Sequence, residues 1–183
     1  MKQALIYIWE LLKIFIVALI IVIPIRYFLF QPFIVSGDSM VPNFHNGDYL
    51  IVDELSYKLG SVNRGDIVVF KFPLNTSQRF IKRVIGLPGE TVDVGGGIIT
   101  ITDKNSQKKM LDESKYLPDA KEITTGSAHI VLTDKEYFVM GDNRQFSYDS
   151  RAWGAVPQDD IIGKVFIRVF PLASLEKVPV LTY

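Results

Sequence analysis

The chain has 183 residues, with 20 lysine and arginine residues balanced by 20 aspartate and glutamate residues, two histidines and no cysteine. That length fits one domain with at most an appendage, and the balanced charge offers no field for nucleic acid or an acidic partner surface. Without cysteine there is no disulfide framework, no thiol nucleophile and no thiolate metal site, and His45 and His129, far apart among turn residues, read as surface histidines and not as zinc ligands.

The first element is the apolar run ALIYIWELLKIFIVALIIVIPIRYFLFQPF, residues 4–33, interrupted only by Glu10, Lys13 and Arg26. A membrane-spanning helix needs about 20 mostly apolar residues, which this run supplies. A cleaved secretory leader is shorter and ends at a small-x-small site, whereas this run continues into PIRYFLFQPF. An apolar surface on all sides over many turns also argues against a buried core helix. The expectation is an uncleaved anchor over residues 1–31, ended by Pro32, with Tyr27, Phe28, Phe30 and Phe33 at the interface. Lys2 and Lys13 against Arg26 give a slight bias toward a cytoplasmic N-terminus.

From Phe33 onward the pattern turns to short runs rich in Val, Ile, Phe and Tyr: GDYLIVDEL, RGDIVVFKF, RFIKRVIGL, ETVDVGGGIITIT, EYFVMGD and KVFIRVF. Bounded by Gly, Pro, Asn or Asp, they predict a mainly β domain over residues 32–183. Gly95–Gly97 reads as a hairpin turn; no helix follows it, so it is not a phosphate loop. Residues 103–128 are polar and turn-rich and are expected to be an exposed excursion from the sheet. No repeat or heptad is visible.

Three stretches carry residues that this framework does not require. The first, SGDSMVPNF at 36–44, places a serine just past the expected membrane exit. A serine hydroxyl needs an activating base, neither histidine lies in a supporting motif, and Val41 stands where a G-x-S-x-G elbow needs its second glycine. The alternative base is a lysine, neutral only if burial lowers a pKa that is ordinarily about 10.4. The second stretch, RFIKRVIGLPGE, offers Lys82, which a period of two places on the face opposite Ile81 and Arg83. The third, GDNRQFSYDSRAWG at 141–154, holds acids and arginines able to pair with each other or with Arg83, and serines able to bond a buried amine.

Together these stretches resemble the bacterial type I signal peptidases of the short kind with one N-terminal anchor. Ser39-Met40-Val41-Pro42 is similar to the family's nucleophile box, GDYLIV to the next, IKRVIGLPGE to the lysine box and GDNRQFSYDSRAWG to the last, in the family's order. The resemblance implies a signal-peptidase-like fold of coiled, mostly antiparallel β-sheets preceded by one transmembrane helix. It implies that Ser39 is the nucleophile, that Lys82 is the general base and later the acid, and that Ser147 holds the amine. Arg83, Asp142, Asp149 and Arg151 become structural polar partners, and the oxyanion falls to the backbone at Ser39 with help from Gly37. Some members carry a hydroxyl two positions before the nucleophile where this chain has Gly37. Asn43 and Phe44 replace the usual threonine and leucine, and Phe146 replaces the usual asparagine.

The activity implied is removal of N-terminal signal peptides from exported preproteins, cutting after small residues at positions −1 and −3. Phe33, Ile34, Val35 and Val84 are expected to line the apolar substrate pockets. A nucleophile close to the membrane exit suits a bond that lies just after a precursor's own apolar segment. The expected partners are preproteins and the lipid bilayer, with no nucleic acid and no cofactor, and the enzyme is expected to act as a monomer. Its expected place is the cell membrane, single-pass, with the N-terminus cytoplasmic and the catalytic domain outside. Two alternatives stand beside this: a serine-lysine self-cleaving regulator on a similar β fold, and a catalytically silent anchored homologue that only binds export substrates.

Overall fold

A computed structural model of the chain describes residues 2–28, 30–55, 57, 60, 62–117 and 124–178, and in the first helix the side chains of residues 3, 6–20 and 22. That helix, α1, runs Lys2–Phe28, about 40 Å at 1.5 Å per residue. Its described apolar side chains are open on every side, from Ile6 and Trp9 to Phe15 and Ile20, and Lys13 Nζ pairs with Glu10 one turn away at 2.7 Å. Among the described residues no helix is long and apolar enough to cross a membrane. The expected anchor also draws on the side chains of Ala4, Leu5, Ile21 and residues 23–30, which lie outside the described ones.

The strands are β1 (Phe30–Ile34), β2 (Tyr49–Asp53), β3 (Ile67–Phe72), β4 (Asn75–Gly86), β5 (Thr91–Gly95), β6 (Ile98–Thr102), β7 (Lys108–Met110), β8 (Ala128–Val131), β9 (Glu136–Met140), β10 (Val156–Pro157), β11 (Ile161–Phe170) and β12 (Glu176–Lys177). One sheet has the order β1-β2-β11-β3-β4-β9-β10, with β12 beside β11, and a second has the order β7-β6-β5-β8. Every pairing is antiparallel. The mainly β, antiparallel expectation therefore holds. Alternation explains the second sheet: Val92, Val94, Ile99 and Ile101 point into a shared core, while Thr91, Asp93, Thr100 and Thr102 face outward. Gly96 and Gly97 close its hairpin with φ of 60° and 83°, the left-handed values that a two-residue turn of this kind requires.

Residues 103–128 are more than an exposed excursion. They contribute the edge strand β7 and bury Tyr116 and Leu117; residues 118–123 lie outside the described ones. Polar composition hid the strand, because Lys108 and Lys109 sit on a solvent-facing edge, where charge is the usual guard against further pairing.

Two features of the larger sheet place the site. Strand β4 is exposed from Asn75 to Arg79 and buried from Ile81 onward, and β9 covers its second edge only over Arg83–Gly86. The stretch before Arg83 is left with an open edge among the described residues. Nearby, the 36–44 loop after β1 is fastened by Met40 and Phe44, which are buried with Val35, Leu50, Val52 and Ile67.

Candidate active site

Met40, fully buried, fixes the turn that carries Ser39, and Ser39 itself stays half-exposed at its surface. The turn closes through hydrogen bonds from Val41 N–H to Asp38 O and from Phe44 N–H to Met40 O. Across from it, Lys82 reaches from β4 until Nζ lies 2.7 Å from Ser39 Oγ. The lysine is only 4% exposed, and this burial lowers its pKa to about 8, although Asp149 and Asp142 push it back up. Phe80, two residues before it, sets its ring 5.4 Å from Nζ.

On the other face of the strand, Arg83 is locked. Its Nε and Nη2 donate to the two oxygens of Asp142 at 2.7 and 2.6 Å, and Nη1 donates to Gly65 O at 2.9 Å. The guanidinium also lies 4.2 Å from the centre of the Tyr116 ring. Asn43 donates to Asp142 Oδ2 at 2.8 Å and to Tyr116 O at 3.0 Å, which ties the nucleophile loop to the same carboxylate. A second pair lies further along the 141–154 stretch: Arg151 Nε and Nη2 donate to the oxygens of Asp149 at 2.8 and 2.7 Å. Asp149 also receives Gly141 N–H at 3.0 Å and caps the one-turn helix Ser150–Trp153.

The other anticipated residues are placed differently. Ser147 Oγ is buried but has no hydrogen-bond partner among the described residues, so in this structure the amine's contact is with Ser39 and not with Ser147. Gly37 has φ +88°, and its N–H donates to Asn46 Oδ1 at 3.0 Å. That donor is spent, whereas Ser39 N–H has no acceptor among the described residues.

A cleft of about 290 Å³ runs past the serine, lined by Phe33, Ser39, Phe80, Ile81, Lys82, Phe146 and Tyr148 among others. Of the expected pocket residues only Phe33 lines it. Ile34 is half-exposed on the edge strand β1, and Val35 and Val84 belong to the core with 2% and 0% exposure. The correction has a simple cause. Val35 follows the end of β1, where its N–H bonds Asp48 O and the chain turns inward, and Val84 lies where β4 pairs with β9 and is buried in a cluster with Val68, Val139 and Val156.

Sequence reasoning missed several residues here. Arg144 is buried and donates to Glu113, Thr124 and Gly141 O, so the polar stretch before β8 braces the site. Gly141 is required by close approach, since a Cβ there would fall 2.3 Å from Ser39 O and 2.2 Å from Ser147 Oγ. Asn143 and Asn46 hold the serine turn by hydrogen bonds. A side-chain amide has no sequence signature for such a bond, because its partner is a peptide group that only folding brings near. Among the described residues there is no cluster of three metal-ligating side chains; His45 is exposed, and His129 Nδ1 lies 2.5 Å from Asp93 Oδ1 on the second sheet.

The chain is similar to known proteins over most of its length. A family model described as signal peptidase, peptidase S26, matches residues 8–170. A probable signal peptidase I-1 of Synechocystis is 37% identical over 176 residues, spanning 89% of this chain and 85% of that protein. Signal peptidase I P of Bacillus subtilis subsp. natto is 38% identical over 169 residues and 88% of each chain. A crystal structure of a signal peptidase I from Enterococcus faecalis is 33% identical with a TM-score of 0.46, covering 57% of this chain and 96% of that one.

Proposed function

Because the chain belongs to the signal peptidase family, peptidase S26, we propose that Ser39 and Lys82 are the nucleophile and general base of its reaction. The chain is a serine endopeptidase that removes signal peptides from exported preproteins, in keeping with relatives similar over nearly nine-tenths of its length. The observation that carries the residue assignment is the 2.7 Å contact between a half-exposed hydroxyl and a buried amine. With a pKa of about 8, about a tenth of the lysine is neutral at pH 7, against about one part in three thousand for an ordinary one.

In this reading, neutral Lys82 takes the Ser39 proton onto Nζ as Oγ attacks the scissile carbonyl carbon. The new C–O bond forms, the carbonyl electron pair moves onto oxygen, and Ser39 N–H meets the oxyanion. Collapse breaks the C–N bond, and Nζ gives its proton to the departing amine. The signal peptide remains as an ester on Ser39. Water then loses a proton to Nζ and attacks the ester, and Ser39 oxygen leaves with that proton. Asp142 and Asp149 hold Arg83 and Arg151 and stay outside the proton transfers. Ser147 does not touch the amine in the resting arrangement; its buried hydroxyl, with hydrogen-bonding capacity unspent, takes up the amine once the Ser39 oxygen has left it to bond the substrate carbon.

The substrate lies extended along the open edge of β4 before Arg83, adding a strand, with its −1 and −3 side chains in the shallow cleft beside Phe33, Phe80 and Ile81. Residues 1–31 anchor the enzyme in the membrane as a single pass with the N-terminus cytoplasmic, and residues 32–183 work outside as a monomer beside the bilayer. The test is cleavage of a model precursor in detergent micelles by the parent chain, Ser39→Ala and Lys82→Ala. Cleavage by the parent alone, after a small-x-small site, is the result expected; equal behaviour of all three overturns the assignment. Cleavage of a peptide methylated on its backbone nitrogens at the parent rate overturns the strand pairing.

A further inference from the structure

From the hydrogen bonds around the serine turn we infer that two asparagines, Asn143 and Asn46, aim the peptide that carries the oxyanion donor. The inference rests on Ser39 being the nucleophile. Asn143 Nδ2 donates to Asp38 O at 3.0 Å, and its backbone N–H donates to Ser39 O at 3.1 Å. It thus grips the peptide groups on both sides of Ser39. In a planar trans peptide the N–H points opposite to the C=O. Holding the Asp38 carbonyl toward Asn143 therefore turns the Ser39 N–H away from the 141–144 loop, where no described residue accepts it. A donor left free and fixed in direction is what a developing oxyanion needs, because its worth depends on not having to reorganise.

Asn46 acts two peptides earlier. Its Oδ1 accepts the Gly37 N–H at 3.0 Å and holds that residue at φ +88°, a conformation that glycine adopts without strain. The polarity of each amide follows from its partner, since a carbonyl can only accept and a peptide N–H can only donate. Asn143 must present nitrogen and Asn46 must present oxygen. Gly37 brings no hydroxyl of its own, so the oxyanion hole relies on the backbone that these two side chains orient. Neither is a catalytic residue; both are positioning residues.

The opposite polarity supplies the test. Asn46→Asp keeps the accepting oxygen and Asn46→Leu removes it, whereas both Asn143→Asp and Asn143→Leu remove the donor. The readouts are kcat and KM on a signal-peptide substrate, affinity for a peptide aldehyde that becomes a tetrahedral adduct on the serine, and thermal unfolding. Removing a donor outright costs about 10²–10³ in rate, so misdirecting one should lower kcat and aldehyde affinity together by about tenfold to a hundredfold in both Asn143 variants, with KM within about twofold. Asn46→Leu loses about tenfold, and Asn46→Asp stays within about threefold of the parent. Parent-like aldehyde affinity in Asn143→Asp, or equal loss in both Asn46 variants, overturns the inference. Should an Asn143 variant fail to fold, the Asn46 pair decides. Ser39→Ala separates the two ideas: if it still cuts, the nucleophile assignment falls, and if it is inactive while the asparagine variants match the parent, only the positioning inference falls.

Discussion

Lys82 and Arg83 are adjacent in sequence, and both are buried, at 4% and 3% exposure, yet the two faces of β4 treat them in opposite ways. Arg83 receives a bidentate carboxylate, a carbonyl and an aromatic face. Lys82 receives a serine hydroxyl and a phenyl ring. A guanidinium keeps its charge at any working pH, so burial is tolerable only with full pairing. An amine without an acid partner can shed its proton instead, and it becomes a base. One strand thus supports a rigid brace on one face and reactive chemistry on the other.

The strongest way to break this contrast is to make the two sides alike. Lys82→Arg retains length and charge but cannot deprotonate, and activity is expected to fall by about 10⁴-fold or more, as for loss of a base that works as a unit with its nucleophile. Cleavage assays with purified variant check it, alongside a melting curve to show that the variant, lowered in stability by an unpaired buried guanidinium, is still folded at the assay temperature. On the bracing face, Asp142→Leu strands a buried guanidinium and should cost about 3–5 kcal/mol in chemical unfolding. The double variant Arg83→Met with Asp142→Leu should recover much of that loss, because an apolar pair needs no counter-charge.

A third change tests whether bracing and chemistry are separable across the molecule. Ile99→Ala removes a side chain that is 1% exposed in the second sheet and should cost about 2–4 kcal/mol, while the pH midpoint of cleavage stays where it was. The smallest effect expected comes from Phe80→Ala. Burial is the largest cause of the low lysine pKa, so opening the site moves the midpoint of the rising pH limb upward from about 8, toward the ordinary lysine range. The sign for stability agrees. Between about 8 and 10.5 the folded chain holds fewer protons on Lys82 than the unfolded one, so this residue makes stability rise with pH across that window.

Much of this architecture was legible in the sequence because it is written in periods. Alternation along TVDV and IITIT gave the second sheet its inner face, the glycines gave its turn, and period two separated Lys82 from Arg83. Arg144, Glu113 and the two asparagines were not legible. Arg144 meets Glu113 only when the 103–128 stretch folds back and buries Tyr116, and the asparagines bond peptide groups of the serine turn, Gly37 nine residues from Asn46 and Asp38 far from Asn143, that carry no mark in the sequence. Val35 and Val84 show the converse. Apolar residues next to catalytic ones look like pocket walls in sequence, but their depth depends on where neighbouring strands begin to cover them.

Lys82 serves as the base because it is buried with no carboxylate bonded to its amine among the described residues. Its amine can be titrated directly by NMR of protein labelled at the lysine ε-carbon, with Lys82→Arg to assign the signal. The account predicts a transition near pH 8 that coincides with the midpoint of kcat/KM. A Lys82 signal titrating in the ordinary range above 10, with cleavage already at full rate below it, would contradict the account.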